Sequence, residues 1–221
     1  ISSLPEEITL EDKDDVEAAR AAYDALTDDQ KALVDEDTLT ALTDAETAIA
    51  NLEAAKAVTE QINALPEEIT VDDKDDVEAA RAAYEALTDD QKALVDDKTL
   101  TALTDAEDAL AAAEVTEMIN ELPTDITFDN MNDVISASAA YEALTDSQKA
   151  MVDADAVKKL VTAANAAVKI LVDTKEAEKV ENLINALPEK ITTSDKDDIE
   201  AARAAYEALT DDQKALVDED E

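Results

Sequence analysis

The side chains best able to do chemistry in this sequence are carboxylates set in runs. Glu11-Asp12-Lys13-Asp14-Asp15 and Asp72-Asp73-Lys74-Asp75-Asp76 each place four acids in five positions. Oxygen-rich runs attract a hard cation such as Ca²⁺, but a calcium loop of the EF-hand kind bends its ligands around a glycine. This chain contains no glycine. Each run instead stands where a helix is expected to start, and acids there meet the positive end of the helix dipole. We read them as capping residues on a solvated face and assign no metal site. Nucleophilic catalysis is closed off as well, because the chain has neither His nor Cys to serve a Ser-His or Cys-His machinery. Two carboxylates can cleave a glycosidic bond when a cleft raises the pKa of one of them. Acids spread over solvated helices do not supply that cleft. No catalytic residue and no cofactor is assigned, and the chain is not expected to be an enzyme.

Two other side chains recur. Tyr23, Tyr84, Tyr141 and Tyr206 fall on an apolar stripe and are read as packing residues. Arg20, Arg81 and Arg203 precede Asp24, Glu85 and Glu207 by four residues. Such surface pairs on a helix contribute about 0.3–0.5 kcal/mol.

The elements that position these residues are repeated. Leu-Pro pairs stand at residues 4–5, 65–66, 122–123 and 187–188. From each Leu to Val34, Val95, Val152 and Val217 the separation is 30 residues, four times over. From each Val to the next Leu-Pro it is 31, 27 and 35 residues, a difference in steps of four. Four residues add about 6 Å to an α-helix and turn it by only about 40° net, so a continuous helix tolerates these steps.

Within the fixed part, Pro ends the preceding helix. Ile8, Ile69, Ile126 and Ile191 are expected to point inward, and Asp12, Asp73, Asn130 and Asp195 to cap the next helix. Val16, Ala19, Tyr23 and Leu26 form its buried stripe. Thr27 and Gln30 then form a capping box, repeated at Thr88/Gln91, Thr145/Gln148 and Thr210/Gln213. The short helix that follows is expected to lay Leu33 and Val34 on the core. The variable part reads as one long helix in each copy, from about residue 37 to 64, 98 to 121 and 155 to 186.

The expected fold is all-α: tandem three-helix bundles joined by long continuous helices in an elongated, spectrin-like rod. The modules fall at 1–50 (partial, first helix missing), 51–111, 112–170 (a divergent copy) and 171–221 (partial, last helix missing). The chain opens at Ile1 and reads as a piece of a longer protein. A monomer is expected, with end-to-end contacts open to its partial modules.

Charge narrows the partners. Eighteen basic against 58 acidic residues leave −40, which disfavours nucleic acid and anionic membranes. No apolar run reaches the roughly 18–20 residues of a membrane-crossing helix. The acidity also fits adaptation to high salt.

The string VEAARAAYDALTDDQKALVD at 16–35, with close copies at 77–96 and 199–218, resembles tandem helical modules of multimodular Gram-positive surface and secreted proteins, with the FIVAR and GA-like groups similar in size and layout. The resemblance implies an extracellular or cell-wall location and a stalk that spaces neighbouring domains of the same polypeptide.

The third copy points to a second function. Over the 31 residues from Pro to Asp it differs from the second copy at eleven positions, where the first and fourth differ at three and four. Phe128, Met131, Ile135 and Met151 replace Val71, Lys74, Glu78 and Leu94, and Ser138 replaces the Arg. Met131 and Ile135 stand where other copies carry charge and are expected to be exposed. These four are the candidate partner-binding residues, for a host protein or a glycan.

Overall fold

The computed structural model describes residues 4–217, whose regular elements are all helices joined by turns and short connectors, with no strand among them. The helices are α1 (Lys13–Asp24), α2 (Asp28–Lys31), α3 (Glu36–Asn63), α4 (Lys74–Glu85), α5 (Asp89–Lys92), α6 (Asp97–Asn120), α7 (Met131–Ala143), α8 (Asp146–Met151), α9 (Ala154–Asn185), α10 (Lys196–Ala208) and α11 (Asp211–Lys214). Among the described residues no helix is long and apolar enough to cross a membrane. Two compact units are present, Ile1–Ala113 and Glu114–Glu221.

In the first unit, α3 serves two packing sets. Its opening half meets α1, where Val16 fits against Leu42, Ala45 and Ile49. Its closing half meets α4 and α5, where Ala55, Val58 and Ile62 pack with Ala80, Leu87, Val95 and Leu103. Leu42 and Leu103 are fully buried, and each such side chain contributes about 1.5–3 kcal/mol. The second unit repeats the arrangement on α9. Leu160, Ala163 and Ala167 are buried on its opening half and Ala177 and Val180 on its closing half, the latter against Leu209 and Val217. Helix α7 packs on α9, as do α10 and α11.

The corner between the fixed helices is built alike in every copy. Thr27 Oγ1 accepts the Gln30 N–H at 3.3 Å, and Gln30 Oε1 accepts the Thr27 N–H at 2.9 Å. Thr88/Gln91, Thr145/Gln148 and Thr210/Gln213 repeat both bonds. Asp218, the last residue of the fourth corner, lies outside the described residues.

Three local expectations need correction. Leu33 does not lie on the core: it is 85% exposed, and Leu94, Met151 and Leu216 are exposed too. The cause is that α2 stops at Lys31. The tighter bonds Leu33 N–H to Gln30 O and Val34 N–H to Lys31 O follow, turning only the valine inward. Val95, Val152 and Val217 are accordingly buried, and Val34 is half-buried. The aspartates before α1, α4 and α10 do not cap those helices with their side chains. Asp12, Asp73 and Asp195 instead reach back to the N–H and hydroxyl of Thr9, Thr70 and Thr192, closing a single 3₁₀ turn at 2.7–2.8 Å. Ile8, Ile69 and Ile126 are half-buried as expected, but Ile191 is exposed. Ile69 is covered by the group that includes Ala106 and Leu110 of α6, and no described helix after α11 does the same for Ile191.

Candidate functional site

The seam between α1 and α3 shows what an unmodified copy places at this surface. A shallow groove of about 460 Å³ runs along it, floored by Val16 and Ile49. Two ion pairs cross it. Lys13 reaches Glu53, and Arg20 grips Glu46 with both ends of its fork, Nε to Oε1 at 2.5 Å and Nη2 to Oε2 at 2.6 Å. The guanidinium holds the Glu46 carboxyl below its usual range, and the carboxylate raises the Arg20 pKa in turn. Arg81 and Glu107 repeat the fork between α4 and α6 at 2.5 Å. These arginines therefore do not pair four residues along their own helix, as their spacing suggested. The carboxylate 26 residues on stands across the seam and offers two oxygens to the fork. Arg203, with no described helix across from it, does take the local partner, Glu207, at 3.8 Å.

Three of the tyrosines are half-buried, in keeping with a packing role, whereas Tyr206 is exposed with no described helix after α11 to cover it, and all four meet cations. Tyr23 and Tyr84 are half-buried against the core. Each has an arginine and a corner lysine near its ring: Arg20 and Lys31 at 5.6 and 5.7 Å, Arg81 and Lys92 both at 5.7 Å. Lys149 and Lys214 take the lysine place at Tyr141 and Tyr206. The same lysines donate to the last turn of the preceding helix, Lys92 to Glu85 O at 3.0 Å and Lys149 to Glu142 O at 3.1 Å. A lysine eight residues after each tyrosine was the available signal.

The seam between α7 and α9 keeps the register and changes the chemistry. Counting 118 residues on, Met131, Ile135, Ser138, Ala164, Val168 and Leu171 occupy the places of Lys13, Glu17, Arg20, Glu46, Ala50 and Glu53. Both partners of both cross-seam pairs are gone. Ile135, Val168 and Leu171 are 53%, 58% and 49% exposed, and Val161 and Val172 elsewhere on α9 are about half-exposed too. Met131 contradicts its expected exposure and is buried. Without an ammonium to keep in water, its side chain folds onto the core that the lysine stem only borders. Phe128 is exposed on the turn before α7. Met151 is exposed at the end of α8, but so are its counterparts in the other copies, and its exposure is not special to this one. Of the four candidates, Ile135 is the one that opens onto the altered seam. The α9 half of the seam lies in the variable part of the repeat, where the copies share no fixed spacing to mark it.

A second polar feature lies further along α9. Asp173 is buried, accepts Lys169 Nζ at 2.7 Å and Gln213 Nε2 at 2.8 Å, and is held below its usual pKa by Lys169 and then by Gln213. Lys169 also donates to Asp212 at 2.9 Å, and the two carboxylates raise its pKa. The cluster ties the last corner to α9, as Gln91 ties its own corner to Asn51 of α3 at 3.1 Å. Among the described residues no group of acids can hold a metal ion. No protein family, curated protein or solved structure matches this chain.

Proposed function

We propose that this chain is a stalk segment of a bacterial surface or secreted protein, in which tandem three-helix bundles hold neighbouring domains apart. The observation that supports this reading most is the double use of α3 and α9. Each is a single helix whose opening half packs with one set of fixed elements and whose closing half packs with the next. A helix committed at both ends bends only by breaking packing at one of them, and that resistance is the mechanical function. Net charge of −40 keeps neighbouring stalks apart and soluble.

Small-angle X-ray scattering tests the reading. A spacer of this kind gives an extended particle of roughly 80–120 Å, from about 1.5 Å per helical residue less the overlap of successive bundles. A maximum dimension typical of a sphere of this mass sinks it.

A further inference from the structure

We infer that the α7–α9 seam is a docking surface for a helical segment with an apolar face and basic flanks. The altered positions lie on both walls of one seam, since their counterparts Glu17, Arg20, Glu46, Ala50 and Glu53 all line the single groove between α1 and α3. Five substitutions in separate parts of the sequence thus converge on one place. Drift at independent surface positions would leave an unpaired Arg or Glu somewhere along it. Instead Arg and Glu are replaced together by Ser138 and Ala164, and Lys and Glu by Met131 and Leu171.

The result is a face of Ile135, Val168 and Leu171, with small Ser138 and Ala164 between them. Its exposed apolar area is on the order of the few hundred Å² at which patches on soluble proteins begin to mark contacts. The small residues leave the backbones of α7 and α9 open to close approach. Rod-like apolar seams of this kind are filled by a helix presenting anchors at spacings of three and four.

Charge selects the partner. A second copy would bring −40 against −40. A basic flank meets an attractive field at long range and finds Asp133 and Glu142 exposed towards the two ends of α7. The middle of the seam carries no charge and Glu142, paired with Lys149 at 3.3 Å, stands at its end, so the occupant carries the basic residues beside its apolar stripe and not within it. This function goes beyond spacing and does not depend on it.

The test is a titration of the isotope-labelled chain with a synthetic amphipathic helix, leucine and alanine on one face and lysine at the margins, followed by NMR. Shift changes confined to α7 and the opening half of α9 support the inference. The rebuilt variant Met131→Lys, Ile135→Glu, Ser138→Arg, Ala164→Glu, Leu171→Glu restores the charged seam and leaves the chain one charge more acidic. Affinity at least about tenfold weaker in that variant supports docking at the seam, because added acidity alone strengthens attraction for a basic peptide. The reciprocal variant Lys13→Met, Glu17→Ile, Arg20→Ser, Glu46→Ala, Glu53→Leu is expected to gain binding between α1 and α3. It keeps the inference testable if the first variant fails to fold. Equal affinity in the rebuilt variant, or shifts spread over the acidic surface, overturns the inference. So does self-association of the chain without peptide that the rebuilt seam abolishes, because a second copy is then the occupant.

Discussion

Between α1 and α3 the rim of the first unit is crossed by Lys13–Glu53 and Arg20–Glu46; between α7 and α9 the second unit carries Met131, Leu171, Ser138 and Ala164 in those places. Beneath the rim three positions keep their residue types and one does not, since the buried Ile49 gives way to the buried Ala167. Val16, Leu42 and Ala45 are buried in one unit, and Val134, Leu160 and Ala163 in the other. Core and rim are therefore under different constraints. The core must fill the space between two helices, and a lost methylene is felt at once. The rim is half in water and can be charged or apolar, and where it turns apolar Met131 goes inward over a floor that has lost the bulk of Ile49. What the rim does not tolerate well is half a change, because a lone charge left over an apolar seam loses its partner and keeps its desolvation.

The sharpest break of this equivalence is a matched core truncation. Leu42→Ala and Leu160→Ala each remove a buried leucine from corresponding places, and each is expected to cost about 2–4 kcal/mol. Hydrogen exchange of the α1 and α7 amides reads the two losses separately. Similar losses mean that the two cores hold equally well although Ile49 of the first is Ala167 in the second. A Leu160→Ala cost less than half the other means that the second core is looser, and that its seam was altered from the inside.

Acid next separates the third copy from the others, Asp195 of the second unit being held by Thr192 in the same way as Asp12 and Asp73 are by their threonines. Asp12 and Asp73 accept from Thr9 and Thr70, and these bonds hold their carboxyls below the usual aspartate range. A depressed folded pKa stabilises above the unfolded value and is lost as pH falls through the folded one. The turns before α1 and α4 are thus expected to loosen as pH drops below about 3.9. The turn before α7 carries Asn130, whose Oδ1 accepts the Thr127 N–H at 2.8 Å and does not titrate in this range. Protection of the Thr127 amide is expected to hold where that of Thr70 falls. Asp73→Asn should remove the acid response and Asn130→Asp should install it. Identical pH profiles at the two amides would sink the assignment.

Much of the architecture was legible before any coordinates. The long helices, the four Thr–Gln boxes and the shared stripe of α3 follow from spacing, because these contacts lie within one helix or one turn. The cross-seam pairs were harder. Arg20 has an acid four residues on and another 26 residues on, and local rules favour the nearer. Geometry favours the farther, because Glu46 can present both oxygens to the fork. Leu33 misled for a related reason. Helical periodicity carried through KALV puts Leu33 and Val34 on one face, whereas a helix that ends at Lys31 turns them apart. As for the altered seam, the sequence singled out the third copy as divergent and placed Ile135 among its exposed residues, where it lies. It hid Val168 and Leu171, because the long helix drifts in sequence and its register shows only when α7 lies against it.

The smallest effect is also the most discriminating for the ion pairs. Arg81 and Glu107 are about a third exposed and joined by two bonds, whereas Arg203 and Glu207 are mostly in water and joined by one contact at 3.8 Å. A double-mutant cycle with Arg81→Met and Glu107→Leu is expected to give a coupling of about 0.5–1 kcal/mol. The same cycle on Arg203 and Glu207 should give about 0.2 kcal/mol or less, and raising the salt should erase it first. Equal couplings would mean that the second helix of the seam adds nothing to an arginine already served by its own. In that case the joint loss of Arg and Glu at Ser138 and Ala164 would carry no energetic meaning, and the contrast between the units would reduce to the apolar side chains alone.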